Sequence, residues 1–251
     1  MRTAIALVTG TSSGIGAAVA RQLVDRGWTV VGVSRRAAAI EHPRYTHVTF
    51  DLADVRALPA AFAPLVAPGL TAQRWDRVAL VNNAARSDLL MPLEQLQPSD
   101  LLDMLALNTV APIWLMGFVT RVTPHDTVLR IVNVSTGGAV KAFPGLAAYC
   151  SSKAALRMAG QVFAEELDSP VRTTAAPADA AIFSYQPGTV DTAMQTHARS
   201  IDPGEFPWAK IFHDFHARGM LVPPDAPARE IVAFLESDSA LRLTERRLGA
   251  S

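Results

Sequence analysis

Thr3-Ala4-Ile5-Ala6-Leu7-Val8 runs straight into Thr9-Gly10-Thr11-Ser12-Ser13-Gly14-Ile15-Gly16, and Val19, Leu23 and Val24 then recur at helical spacing. An apolar run, a glycine-rich turn and an amphipathic pattern predict strand, tight turn and helix. Glycines at 10, 14 and 16 let the backbone turn sharply and let a ligand approach closely. The helix start offers free N–H groups and a positive dipole to a pyrophosphate, with Ser12, Ser13 and Ile15 between the glycines. The turn thus reads as a nucleotide cradle. A plain tight connection stays open, because Gly-x-x-x-Gly-x-Gly departs from the Gly-x-Gly-x-x-Gly dinucleotide fingerprint.

Outward from the cradle, Trp28 to Ser34 reads as the strand that closes a βαβ unit. At its end an acidic residue would accept hydrogen bonds from a free ribose and repel a 2′-phosphate, but the chain has Ser34-Arg35-Arg36. Two guanidiniums there favour the phosphorylated cofactor, NADPH, unless they are ordinary surface arginines. Val48-Thr49-Phe50 then Asp51-Leu52 predicts a third strand, with Asp51 at its tip as an adenine contact or a turn cap. Val55 to Val66 looks helical but contains Pro59 and Pro64. Val78 to Val81 predicts a strand running into Asn82-Asn83-Ala84-Ala85.

Leu101 to Val122 is helical in pattern, with Asn108 inside it and Pro112 four residues later. That proline removes the amide that would bond the Asn108 carbonyl, which leaves either a water-holding carbonyl near the cleft or a simple kink. Val128 to Val134 predicts a fully buried strand ending at Ser135-Thr136-Gly137-Gly138. Ser169 to Asp179 reads as a surface loop, and Ala180 to Tyr185 as a strand leading into Gln186-Pro187-Gly188-Thr189-Val190-Asp191-Thr192. From about 193 to 222 the periodicity is poor and aromatic residues recur, as in a lid over an apolar ligand or a segment packed on the body. Pro224 to Leu235 predicts a last helix.

The reactive pair is Tyr149-Cys150-Ser151-Ser152-Lys153. Positions four apart share a helical face, so the phenol and the ammonium point the same way. A cation held close favours phenolate, so Lys153 is expected to bring Tyr149 toward proton transfer near neutrality. By chance the same spacing gives a surface Tyr lying on a Lys stem.

At 251 residues, 49% apolar and 18% charged, the chain fits one large globular α/β domain spanning 1–251. The formal net charge is zero and no basic block exceeds Arg35-Arg36 or Arg246-Arg247, so nucleic acid is not an expected partner. Cys150 is the only cysteine, which excludes an intrachain disulfide and implies a reducing compartment. The apolar start is too short for a signal peptide and no apolar run looks like a membrane span, so a cytoplasmic protein is expected. His213-x-x-His216 can put two imidazoles on one helix face, but without a convincing third ligand no metal is expected.

Taken together, Thr9-Gly10-x-x-x-Gly14-x-Gly16, Asn82-Asn83-Ala84, Asn108, Tyr149-x-x-x-Lys153 and Pro187-Gly188 resemble the short-chain dehydrogenase/reductase family from Thr3 to about Leu235. The likeness is greatest to its sepiapterin reductase and benzil reductase branch, through Phe143-Pro144-Gly145, Cys150, and Val190-Asp191-Thr192-x-Met194-Gln195. The resemblance implies a single Rossmann-like, doubly wound domain: a mostly parallel sheet of six or seven strands with helices on both faces. It implies that Tyr149 protonates the carbonyl oxygen, that Lys153 binds the nicotinamide ribose, and that Asn108 holds a relay water. It places Asp51 and Leu52 at adenine, Asn82 and Ala84 on the adenosine side, and Pro187, Gly188, Val190 and Thr192 near the carboxamide.

The departures are specific. The family's serine, thirteen residues before the Tyr, is Thr136 here, and strand alternation sends Ser135 and Thr136 to opposite faces, so the role falls to Thr136. Ala85 replaces a usual glycine, and Ser13 stands where NADP-dependent relatives often carry a base. Leu241 to Ser251 lacks the Gly-x-x-Val-Asp pattern of the last strand in sepiapterin reductases, and with it the pterin-anchoring carboxylate. The expected function is an NADPH-dependent carbonyl reductase for a small, mostly apolar ketone or dicarbonyl. Its rivals are an alcohol dehydrogenase and a silent dinucleotide-binding sensor or scaffold. Apolar residues on more than one face of the helices carrying Asn108 and Tyr149 predict a homodimer or homotetramer.

Overall fold

The computed structural model describes residues 2–169, 177–204, 207–238 and 241–249. In chain order the main elements are β1 (Ala4–Thr9), α1 (Gly14–Asp25), β2 (Thr29–Ser34), β3 (Tyr45–Thr49), α2 (Ala63–Thr71), β4 (Arg77–Asn82), α3 (Pro98–Leu105) and α4 (Ala111–Val122). There follow β5 (Val128–Val134), α5 (Ala147–Leu167), β6 (Ala180–Gln186), α6 (Ala193–Arg199), α7 (Lys210–Ala217), α8 (Asp225–Glu236) and β7 (Leu243–Arg247). The seven strands form one sheet in the order β3-β2-β1-β4-β5-β6-β7, and every pairing is parallel.

Strand alternation sorts the core. Ile5 and Leu7 of β1 join a cluster with Phe62, Leu115 and Leu156, from the α2, α4 and α5 side of the sheet. Ala6 and Val8 face the other way, onto Val19, Leu23 and Ile231 of α1 and α8. A parallel sheet buries both faces, which is why its central strands read as unbroken apolar runs.

Four stretches differ from the sequence expectation. The third strand is Tyr45–Thr49 and stops before Phe50; as an edge strand it is only partly buried, so its pattern was weak. The helix expected over 55–66 is displaced to a π-helical turn at Leu58–Phe62 followed by α2. Pro59 falls in the first turn of this helical stretch, where no amide is needed, and Pro64 follows the π-helical turn within it. Between α3 and α4 the chain forms a π-helical turn, Ala106–Val110, with Asn108 at its centre. This widened turn is the form taken by the interruption that Pro112 imposes. Finally, Leu243–Arg247 forms β7 on β6 even without the relatives' terminal pattern. The loop expected over 169–179 has its residues 170–176 outside the described part.

The helical stretch Pro98–Val122 is long and apolar enough to cross a membrane by composition, but half of its most apolar window is buried inside this protein. It serves as a core element, with Leu115, Phe118 and Val119 in the main cluster.

Tyr45 ties the edge strand to the cradle. Its hydroxyl donates to Thr11 Oγ1 at 3.0 Å and lies 3.0 Å from His47 Nδ1. The ring passes over Gly32 of β2 so closely that a Cβ there would sit 2.6 Å from its Cε2 and Cζ atoms. Gly32→Ala is therefore expected to destabilise the fold by about 1–3 kcal/mol, as overpacking does. Thermal melting of Gly32→Ala, Tyr45→Ala and the double variant checks this, with the double variant losing less than the two single losses added.

Candidate active site

The strand order reverses between β1 and β4, and the carboxyl ends of the strands on either side open into a cleft of about 880 Å³. Its floor is knitted by Thr9 and Asn83. The Thr9 hydroxyl donates to Val81 O at 3.2 Å and accepts from the amides of Asn83 (2.9 Å) and Ala84 (3.0 Å). Asn83 Nδ2 donates to Thr9 O at 2.9 Å.

Gly10, Ser12, Ser13, Gly14 and Ile15 line one end of the cleft. Gly10 and Gly14 have φ of 75° and 59°, which explains the glycines. Gly16 lies beneath the turn, where a Cβ would overlap the carbonyl of Gly10. Ser13 is the N-cap of α1 yet makes no side-chain cap hydrogen bond, and the first turn carries no acidic residue. The positive helix end therefore faces the cleft uncompensated, as a pyrophosphate site requires.

Arg35, Arg36, Asp51 and Leu52 line the same end. Asp51 forms the turn cap, its Oδ1 accepting from Ala53 N at 3.0 Å, and it borders the cleft. Its Oδ2 lies 3.9 Å from Arg35 Nη1, a loose and exposed pair. Asn82 lies apart from this lining. It is 3% exposed, its Nδ2 donates to Asn133 Oδ1 at 2.9 Å, and it does not border the cleft. The alternation at the end of β4 turns Asn82 inward and gives the cleft to Asn83 and Ala84.

At the other end Thr136, Tyr149 and Lys153 come together. The Thr136 hydroxyl, which accepts from Gly138 N at 3.2 Å, acts on the Tyr149 phenol by favouring its anion. Ser135 borders the cleft as well, so alternation does not remove it; its hydroxyl is buried and has no protein partner. Lys153 is 3% exposed and donates to Val134 O at 2.8 Å. Asn108 is fully buried and does not line the cleft. Its Oδ1 accepts from Arg86 N and its Nδ2 donates to Arg86 O, both at 2.9 Å, and to Ser152 Oγ at 3.1 Å. Ser152 in turn donates to Tyr149 O at 2.7 Å, so Asn108 braces the turn that carries the phenol.

The electrostatics overturn one expectation. Burial pushes the Tyr149 phenol up to about 12, opposed by its hydrogen bond with Thr136, and burial brings the Lys153 ammonium down to about 8. Lys153 is fastened to a backbone carbonyl and does not make the phenol acidic in the protein alone. Spacing on a helix face placed the two groups correctly but carried no information about desolvation, which wins here.

Pro187, Gly188, Val190 and Thr192 border the cleft beside Tyr149, with Gly188 at φ 73°. Met194, Trp208, Phe212 and Phe215 from 193–217 cover it, facing Leu90, Phe143 and Leu146. Phe206 lies outside the described residues. His213 and His216 stand on α7, and among the described residues no three potential ligands gather around a metal position. The sequence reading had not singled out Leu90, Lys141 or Arg247, all of which border the cleft. Nothing local marks them, because strand register and loop packing bring them there.

Burial raises all three tyrosines, Tyr45, Tyr149 and Tyr185. Unfolded phenols ionise near pH 10, so above that pH the unfolded chain loses protons first. The stability these phenols contribute is complete below about pH 10 and is lost as pH rises beyond it, for Tyr149 between about 10 and 12. Lys153 acts with the opposite sign: its folded value near 8 lies below its ordinary one, so the cost of burying its charge is relieved as pH rises past 8. Melting temperatures and tyrosinate absorbance should show no ionised tyrosine near pH 10 in the folded protein, and unfolding in step with ionisation above it.

A family model described as short chain dehydrogenase matches residues 4–202. A benzil reductase ((S)-benzoin forming) of Bacillus subtilis (strain 168) is 29% identical over 234 residues, 92% of each chain. A sepiapterin reductase of Xenopus tropicalis is 28% identical over 254 residues, covering 94% of this chain and 92% of its own. Among solved structures, a short-chain dehydrogenase/reductase from Burkholderia vietnamiensis is 30% identical with a TM-score of 0.65, over 76% of this chain and 86% of that one.

Proposed function

The chain belongs to the short-chain dehydrogenase family, whose members bind nicotinamide dinucleotides, and from that premise we propose that it is an NADPH-dependent carbonyl reductase acting on small, mostly apolar ketones or dicarbonyls. The observation that carries the reading is that Thr136, Tyr149 and Lys153 line the same cleft as the glycine cradle. The cradle and the free end of α1 would hold the pyrophosphate, and Arg35 and Arg36 the 2′-phosphate. The cofactor supplies a hydride to the carbonyl carbon.

As charge develops on the carbonyl oxygen, the Tyr149 hydroxyl donates its proton there and the Thr136 hydroxyl steadies the phenolate that remains. A phenol held near 12 is fully protonated at neutral pH, the state a donor needs at the start of reduction. Lys153, one helical turn along α5 and lining the same cleft, supplies a positive charge toward which developing anion is drawn. The aromatic cover keeps bulk water from the reacting carbonyl and fits an apolar substrate.

We place the protein in the cytoplasm, which suits its single unpaired cysteine. We also propose self-association through α4 and α5, where Ile113, Met158 and Val162 are exposed at 40%, 57% and 49%; sedimentation at micromolar concentration would show it.

NADPH oxidation with an aromatic diketone is the direct test. Tyr149→Phe is expected to lower kcat/KM by roughly 10²–10⁴-fold, the usual worth of a general acid. Replacing Arg35 and Arg36 together by alanine is expected to weaken NADPH roughly tenfold or more while leaving NADH affinity nearly unchanged. Equal turnover in the Phe variant would exclude the proposed acid, and preference of the parent protein for NADH would exclude the arginine reading.

A further inference from the structure

Arg247 closes β7 opposite Gln186 and borders the cleft. Two other arginines of the terminal stretch are engaged: Arg242 Nε donates to Asp168 Oδ1 at 2.8 Å, and Arg246 Nη2 lies 3.7 Å from Glu230 Oε2 with its guanidinium over the Phe183 ring. Arg247 is exposed to the cleft mouth, and among the described residues no carboxylate pairs with it. The only carboxylate among the described residues lining the cleft is Asp51, at the far end.

Register fixes where Arg247 stands. From the tip of β2, where Arg35 and Arg36 begin, the sheet runs through five strand spacings to β7, roughly 24 Å at about 4.8 Å each. Arg247 is therefore too far from the proposed 2′-phosphate position to serve it. Glu245 is on the same face of β7 as Arg247, and its Oε2 accepts from Arg157 Nη2 of α5 at 2.7 Å. Two residues farther along β7 advance about 6.7 Å toward the cleft edge. Because α5 runs back against the parallel strands, the same advance corresponds to roughly four to five residues toward its start. Arg247 is thus level with the turn that holds Tyr149 to Lys153, on the substrate side. Lys141, whose Nζ lies 5.8 Å from the centre of the Phe143 ring, is another cation that borders the cleft.

We propose that Arg247 receives an anionic group of the substrate, so that the enzyme prefers aromatic keto acids, in which a carboxylate accompanies the reacting carbonyl, to neutral ketones. This rests on the reductase reading and names the substrate class for it. The aromatic cover takes the ring, Tyr149 takes the carbonyl oxygen, and the guanidinium takes the carboxylate in a forked, charge-assisted contact. Because Arg247 stands at the mouth, the contact is screened by salt and weaker than a buried pair.

The test compares phenylglyoxylate with its methyl ester, which keep the same ketone and differ in charge. Turnover with NADPH and calorimetric binding to the NADP-loaded protein are measured for the parent, Arg247→Gln and Arg247→Lys. The expected result is an acid-to-ester ratio, in kcat/KM and in affinity, that falls about tenfold in Arg247→Gln and partly recovers in Arg247→Lys. Because the ratio is taken within each variant, a general loss of folding or activity does not imitate it. An unchanged ratio with both compounds turned over overturns the role of Arg247 and leaves the reductase reading in place. Arg247-dependent binding of the acid with turnover of neither compound supports the anion site and removes the reductase reading.

Discussion

Thr9 is the knot on which the site depends. The strand order turns back on either side of β1 and β4, so the crossovers from these two strands leave in opposite directions and their carboxyl ends part. A parting of that kind exposes backbone amides and carbonyls that must be satisfied. The Thr9 hydroxyl spans the gap, with one donated and two accepted hydrogen bonds, and Asn83 returns its amide to the Thr9 carbonyl. The glycine turn above can then approach so closely that Gly16 has no room for a side chain. The ligand cleft is a consequence of the topology, and its floor is a short hydrogen-bonded seam 2% exposed at Thr9.

The same edge carries the reactive helix. α5 reaches the cleft with its first turn braced from behind by Asn108 and Ser152 and from below by Lys153 on the Val134 carbonyl. This bracing explains the π-helical turn between α3 and α4. Widening the helix there puts the Asn108 side chain in reach of both the Arg86 backbone and Ser152, a junction that a regular helix interior would not favour for asparagine. The side chain of Asn108 acts in the protein as a brace, positioning the loop 83–90 against the helix of Tyr149.

The architecture was legible because parallel strands buried on both faces announce themselves as apolar runs: β1, β4, β5 and β6 were each placed to within a residue or two. The glycine cradle, Thr136, Tyr149 and Lys153 were legible because their residue types are required by backbone angle or chemistry. Edge strands are the opposite case. β3 and β7 bury little, so β3 was shifted and β7 was not assigned at all. Asn82 and Asn83 could not be told apart without the pleat, which decides by one residue which of the two faces the cleft. Arg247 reaches the cleft through pairing with a strand some sixty residues earlier, which local pattern does not encode.

Charge shows why composition and site must be read separately. The chain as a whole is neutral, with 23 basic and 23 acidic residues, yet the described cleft is lined by Arg35, Arg36, Lys141, Lys153 and Arg247 against Asp51 alone. A concave surface with apolar walls concentrates the field of such cations in a way that a flat neutral surface does not. Arg35 and Arg36 follow β2 and Arg247 ends β7, so lining cations stand toward both ends of the sheet edge. On the reading proposed above, the first pair would meet a phosphorylated dinucleotide and Arg247 an anionic carbonyl compound. The buried phenol near 12 belongs to the same balance, because it stays neutral until charge arrives on the oxygen beside it. In the proposed reaction, proton donation is thereby tied to the moment at which the substrate, and not the resting protein, carries the new negative charge.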